Sequence, residues 1–139
     1  MPPAIQTSLA LWHEMIKTGD LSRLPSIIHP DAVFRSPVAH SPYHSREAVV
    51  LALSTASQVF QNFAYHRQSL SPGGLDVVLE FSATVQGKQL KGVDLIKFDA
   101  EGKIVEFEVM VRPLSGLQAL AAEMGARLST QLPAYKAQR

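Results

Sequence analysis

The chain has 139 residues, one domain's length, and 46% of them come from the apolar set AVILMFWYC, enough to bury a core without covalent staples. Thirteen Lys and Arg stand against twelve Asp and Glu, a formal charge of +1 with no single-sign block, which argues against a nucleic-acid footprint or a polybasic membrane patch. Cysteine is absent, which excludes disulfides, thiolate metal sites and a cysteine nucleophile together and fits a reducing compartment.

The first residues, from Met1 to Gln6, lack the basic and apolar regions of a secretory signal. No apolar run approaches the ~20 residues of a bilayer crossing, so a cytoplasmic, soluble protein is expected. Ile5, Leu9, Trp12 and Ile16 recur at helical spacing, predicting a first helix that Gly19-Asp20 ends. Leu21 to Ile28 reads as a second short helix, stopped by His29-Pro30 because the residue before proline avoids the α-conformation. A short strand is expected over Asp31 to Arg35. The loop Ser36 to His44, with two prolines and two histidines, then belongs at a surface or rim.

Ser45 is a candidate cap for a third helix from Arg46 to Asn62, with Val49, Leu53, Ala56 and Val59 on one face. Strands follow. Residues 63 to 71 are expected to pair with a long alternating strand in which Leu75, Val77, Leu79, Phe81, Ala83 and Val85 share one face. Gln86-Gly87-Lys88 predicts a hairpin into Gln89 to Phe98, and residues 99 to 103 a second hairpin into Ile104 to Arg112. A last helix after Pro113 carries Leu114, Leu117, Leu120, Met124 and Leu128, and the tail 133–139 is expected to be loose. Helices first and hairpin-linked strands after predict one α+β domain spanning residues 1–139, with its core over about 5–128. A curved, mostly antiparallel sheet over three N-terminal helices, with the C-terminal helix at one end, would form a cone. Its interior would suit an apolar ligand.

The element order, together with Thr18-Gly19-Asp20-Leu21, His29-Pro30-Asp31-Ala32-Val33-Phe34, Ser36-Pro37-Val38 and Val93-Asp94-Leu95-Ile96-Lys97-Phe98 before Gly102-Lys103, resembles the nuclear transport factor 2-like superfamily. Within it the chain is similar to the SnoaL-like polyketide cyclases and ketosteroid isomerases. The isomerases use an Asp base and an oxyanion hole made of a Tyr and a protonated Asp. The resemblance puts the oxyanion Asp at Asp94, the oxyanion Tyr at Trp12, and the base at Ser36. A serine hydroxyl does not remove a carbon-bound proton as a carboxylate does, so classical ketosteroid isomerisation is expected to be absent or very slow.

On its strand Asp94 shares parity with Leu90, Gly92, Ile96 and Phe98, so alternation sets a carboxylate among apolar neighbours. Burial favours its neutral form, which would donate to a ligand oxygen; the alternative is a carboxylate satisfied by backbone or by Arg112. Trp12, donor-only, either helps Asp94 or fills core volume. His40 and His44 flank Tyr43 in the rim loop, and His40 is the candidate replacement base. Ser36, Tyr43, His44, Phe98 and Arg112 are the candidate ligand contacts. The scattered histidines make no metal set, and the resemblance implies no cofactor. Arg112 stands near where related epoxide hydrolases place an acid, and Gly92 where they place an arginine, so that chemistry is not expected.

The function read from the sequence is therefore a pocket for an apolar, oxygen-bearing molecule of polyketide, terpene or steroid type, with cofactor-free isomerisation, cyclisation or dehydration as the reaction class. The alternative is a non-catalytic dimeric binding or interaction module. Glu106, Glu108 and Met110 share an outer face with Lys91, Val93, Leu95 and Lys97 of the neighbouring strand. That face is the expected homodimer surface.

Overall fold

In the computed structural model, residues 1–129 are described, so the tail expected over 133–139 lies outside the described residues. Helix α1, Pro3–Thr18, buries Ile5, Leu9, Trp12 and Met15 and ends at Gly19, whose φ of 79° lets its N–H reach the Met15 carbonyl. The second expected helix is a single 3-10 turn, Leu24–Ile27. Strand β1, Ile28–Arg35, begins earlier than the sequence pattern suggested. It pairs at Ile28, loses register across His29-Pro30-Asp31 where proline has no N–H to give, and pairs again from Val33. Part of the predicted rim loop forms a two-residue strand β2, Tyr43–His44, against β1.

Helix α2, Arg46–Val59, starts where the Ser45 hydroxyl accepts from the Ala48 N–H at 3.2 Å. Strands β3, Gln61–Leu70, β4, Asp76–Val85, β5, Lys88–Phe98, and β6, Ile104–Arg112, then run as three antiparallel pairs. The Gln86-Gly87 corner has both φ values positive, which is the two-residue turn that matches strand twist. Helix α3, Leu114–Leu128, closes the described chain.

The six strands are ordered β2-β1-β6-β5-β4-β3, antiparallel throughout except β1 beside β6. Two register shifts along β3 and one between β5 and β6 mark where the sheet bends around the helices. This is the α+β cone. Its concave face carries Leu79, Phe81, Leu90, Ile96 and Phe107, each no more than 2% exposed. One end is sealed where the Ser8 hydroxyl of α1 donates to the Gly102 carbonyl at 2.6 Å. No helix among the described residues is long and apolar enough to cross a membrane.

Candidate functional site

Within the cone lies a cavity of about 110 Å³. Trp12 and Ile16 reach it from α1, Phe34 and Ser36 from β1 and its following loop, and Leu53, Ala56 and Ser57 from α2. Phe63 and Tyr65 come from β3, Asp94 from β5, Phe107 and Val109 from β6, and Leu120 and Met124 from α3. Gly19, Leu21, Pro37 and Val38 stand at its mouth. A second hollow of about 260 Å³ shares Phe34, Ser36, Val38 and Met124 with it and runs along Tyr43 toward the end of α3.

Strand alternation sends Asp94 inward. It sits between Leu79 of β4 and Val109 of β6 and is 5% exposed. The Tyr65 hydroxyl donates to its Oδ2 at 2.5 Å, and the Trp12 indole N–H donates to that same hydroxyl oxygen at 2.9 Å. Among the described residues Asp94 Oδ1 has no hydrogen-bond partner and no buried side-chain oxygen is left unpaired, so Oδ1 opens to the cavity that Asp94 lines. Burial pushes the Asp94 carboxyl up to about 7, against the hydrogen bond from Tyr65, which pulls it down. Tyr65 itself is held well above the usual phenol range, by burial first and then by the charge of Asp94. Such a carboxyl changes charge close to neutral pH and delivers or receives a proton in an otherwise apolar space.

The structure brings Asp94, Trp12 and Ser36, the three positions the resemblance implied, to one cavity, but Trp12 meets Asp94 through Tyr65. Tyr65 was missed. Its strand shifts register on both sides, so alternation alone did not show that Phe63 and Tyr65 face inward. The Ser36 hydroxyl accepts from the Val38 N–H at 3.1 Å, a local turn bond, and among the described residues it has no hydrogen bond to Asp94, the one carboxyl that lines the cavity.

The remaining candidates fall elsewhere. His40 and His44 are exposed and line neither hollow; His44 points away because Tyr43, its neighbour on β2, takes the inward side and packs on Phe34 with ring centroids 6.3 Å apart. Tyr43 lines the second hollow only. Phe98 has the inward parity of Asp94 but is consumed by the core at 1% exposure, beyond the cavity. Arg112 is exposed and pairs across from Lys91 on the convex face, so it cannot reach Asp94. At Gly92 an added Cβ would lie 2.5 Å from both the Met110 carbonyl oxygen and the Phe81 ring, so no arginine fits there. Among the described residues no cluster of three His, Asp or Glu is placed to hold a metal.

Residues 9–107 match the family model of the SnoaL-like domain. A crystal structure of a steroid delta-isomerase from Pseudomonas aeruginosa is 55% identical, covers 96% of this chain and 97% of its own, and superposes with a TM-score of 0.92. An uncharacterised protein with a cystatin-like fold from Silicibacter pomeroyi is 31% identical over 96% of this chain and 94% of its own, with a TM-score of 0.86. A putative SnoaL-like polyketide cyclase from a Jannaschia species shares the fold at 12% identity and a TM-score of 0.67, over 88% of this chain and 96% of its own. Among curated proteins no match was found.

Proposed function

The chain belongs to the SnoaL-like domain family of the nuclear transport factor 2-like superfamily, and from that premise we propose that its cavity binds an apolar small molecule by one oxygen-bearing ring, with Asp94 as the acid/base group at that oxygen. The observation that carries this reading is the cavity-facing Oδ1 of a carboxyl held up to about 7 in an apolar enclosure. Neutral Asp94 donates to a ketone oxygen and favours the enol; ionised Asp94 accepts from an enol or phenol. A volume of about 110 Å³ limits the enclosed part of a ligand to at most one small ring, since a cavity of roughly 150 Å³ holds benzene. The rest of a larger ligand would follow the second hollow past Val38 and Met124.

The reaction class is cofactor-free isomerisation, cyclisation or dehydration, in line with the name of the 55% identical relative. Asp94 supplies one proton-transfer group; Ser36 does not supply a second. Shift of a Δ5-3-ketosteroid double bond is therefore expected to be absent or very slow. Rapid turnover of that substrate, abolished in Asp94→Asn, would overturn this expectation. Single-ring ketones and phenols, cyclohexenone and 4-nitrophenol among them, are expected to raise the thermal midpoint of the wild type. The rise should be lost in Asp94→Asn, and equal stabilisation of both proteins would contradict the role of Asp94.

The second reading, a non-catalytic binding module, is favoured by one observation: Asp94 and Tyr65 are the only ionisable groups lining the cavity among the described residues. Binding without any conversion of the probes would select it. The convex sheet face, where Val78, Val93, Leu95 and Met110 lie between two sets of ion pairs, is the proposed self-association surface under either reading.

A further inference from the structure

The polar line across the cavity has a direction. An indole N–H only donates, so Trp12 fixes the Tyr65 hydroxyl oxygen as an acceptor on that side. The Tyr65 hydrogen then points to Asp94 Oδ2, 2.5 Å away. The rings leave little freedom to rearrange. Trp12 is held edge-on by Phe107 with centroids 5.3 Å apart, and Tyr65 by Phe63 at 4.9 Å and by His13 at 5.3 Å.

We propose that Trp12 and Tyr65 are positioning residues that act in series on Asp94. The tryptophan polarises the tyrosine hydroxyl, and the tyrosine holds Oδ2 as an acceptor. The proton of neutral Asp94 therefore resides on Oδ1, the oxygen that faces the cavity. Neither residue needs to touch a ligand. This differs from an oxyanion hole in which an aromatic donor and an acid contact the ligand side by side, because here the two aromatic donors, although they line the cavity, spend their polar hydrogens on Tyr65 and on Asp94 Oδ2. The opposite arrangement, with Asp94 donating to Tyr65, would make the phenol oxygen accept twice and turn its own hydrogen into the cavity.

The inference rests on the cavity reading above for its purpose, but its test needs no ligand. Among the described residues α2, α3 and β1 contribute no ionisable group to the lining; on β4, β5 and β6, Asp76, Glu80, Lys91, Lys97, Glu106, Glu108 and Arg112 take the convex face, and Lys88, exposed at the start of β5, does not line the cavity. From α1, His13 meets the Tyr65 ring edge-on and Gln68 Oε1 at 3.4 Å, and makes no contact with Asp94 among the described residues. The carboxyl C=O band of Asp94, identified by its loss in Asp94→Asn, is followed by infrared spectroscopy against pH in four ligand-free proteins: wild type, Tyr65→Phe, Trp12→Phe and the double variant. Tyr65→Phe is expected to raise the Asp94 midpoint by about one pH unit, the worth of a hydrogen bond to a charged acceptor, and to move the band to higher frequency as the carbonyl oxygen loses its donor.

Trp12→Phe is expected to raise the midpoint by less, and the double variant to titrate like Tyr65→Phe alone. A Trp12→Phe effect that persists in the Tyr65→Phe background would overturn action in series. A band that fails to rise in Tyr65→Phe would overturn the placement of the proton. Should Trp12→Phe not fold, the nearly isosteric Tyr65→Phe decides alone, an unchanged midpoint being the contradicting result. Failure of the functional reading would appear separately, as absence of probe binding with this titration pattern intact.

Discussion

Asp94 and Glu80 stand on neighbouring strands of one sheet, and their carboxyls are driven in opposite directions. Asp94 faces Leu79 across the strand pair, on the concave side; Glu80 faces Val93, on the convex side. Burial with one hydroxyl partner pushes Asp94 up to about 7. The forked guanidinium of Arg67, at 2.9 and 2.6 Å, with Lys91 at 3.8 Å, brings Glu80 down to about 2. The contrast teaches that face, more than strand or sequence neighbourhood, decides what an acidic side chain does in this fold. On the convex side the charge of Glu80 is matched by Arg67 and Lys91. On the concave side the Asp94 carboxyl is left with a single neutral donor, which is the condition for proton chemistry.

The comparison can be broken or sharpened by substitution, and the largest effect is expected on the concave side. Phe81, 1% exposed, packs against Phe60, Phe63 and Tyr65 and lies under Gly92. Phe81→Ala should cost about 3–5 kcal/mol in urea unfolding, whereas Val93→Ala on the other face should stay near or below 1 kcal/mol. Equal losses would mean that the two faces are not packed as described.

Next comes the pH dependence of stability. The folded-state value of Asp94 lies above its ordinary value of 3.8, so between about pH 4 and 7 the native state holds a proton that the unfolded chain has released. Stability should therefore fall across that window as pH rises and level off above it, by up to about 4 kcal/mol for the full shift. Asp94→Asn should remove this fall and be the more stable protein at pH 8, as read from urea midpoints. Glu80 has the opposite sign. Its contribution is present above about pH 4.5 and fades as pH drops toward 2. Because Arg67 is largely exposed, Glu80→Gln should flatten only the acid limb, slightly, and salt should reduce the difference. Smallest in stability is Met110→Lys, since Met110 is 51% exposed; its expected effect is a shift toward monomer in sedimentation, within about 0.5 kcal/mol of wild-type stability.

Much of this was legible in the chain. Strict alternation on β4 and β5 is enough to set Asp94 and Glu80 on opposite faces, and helical spacing turns Trp12 inward. Arg112, expected as a ligand contact or a partner of Asp94, has the parity of Glu106 and Met110 and lies with them on the outer face, away from Asp94. Tyr65 was not legible because β3 shifts register between Gln61 and Ala64 and again between Tyr65 and Gln68, so its parity holds for only a few residues. Its reach to Asp94 also depends on two cross-strand registers at once, Tyr65 with Phe81 and Leu79 with Asp94. The helix expected over 21–28 failed for a local reason: apolar spacing fits a helix, but Pro25 and Pro30 leave room for only one tight turn before the chain extends.

The central claim is that a carboxyl in the cone ionises near neutrality with one oxygen open to the cavity. Its most direct test is the ¹³C NMR titration of the Asp94 side-chain carboxyl in the ligand-free protein, assigned through Asp94→Asn. The account predicts a midpoint near 7, well above the ordinary carboxyl value of 3.8. A midpoint near 4, the ordinary value, would contradict it.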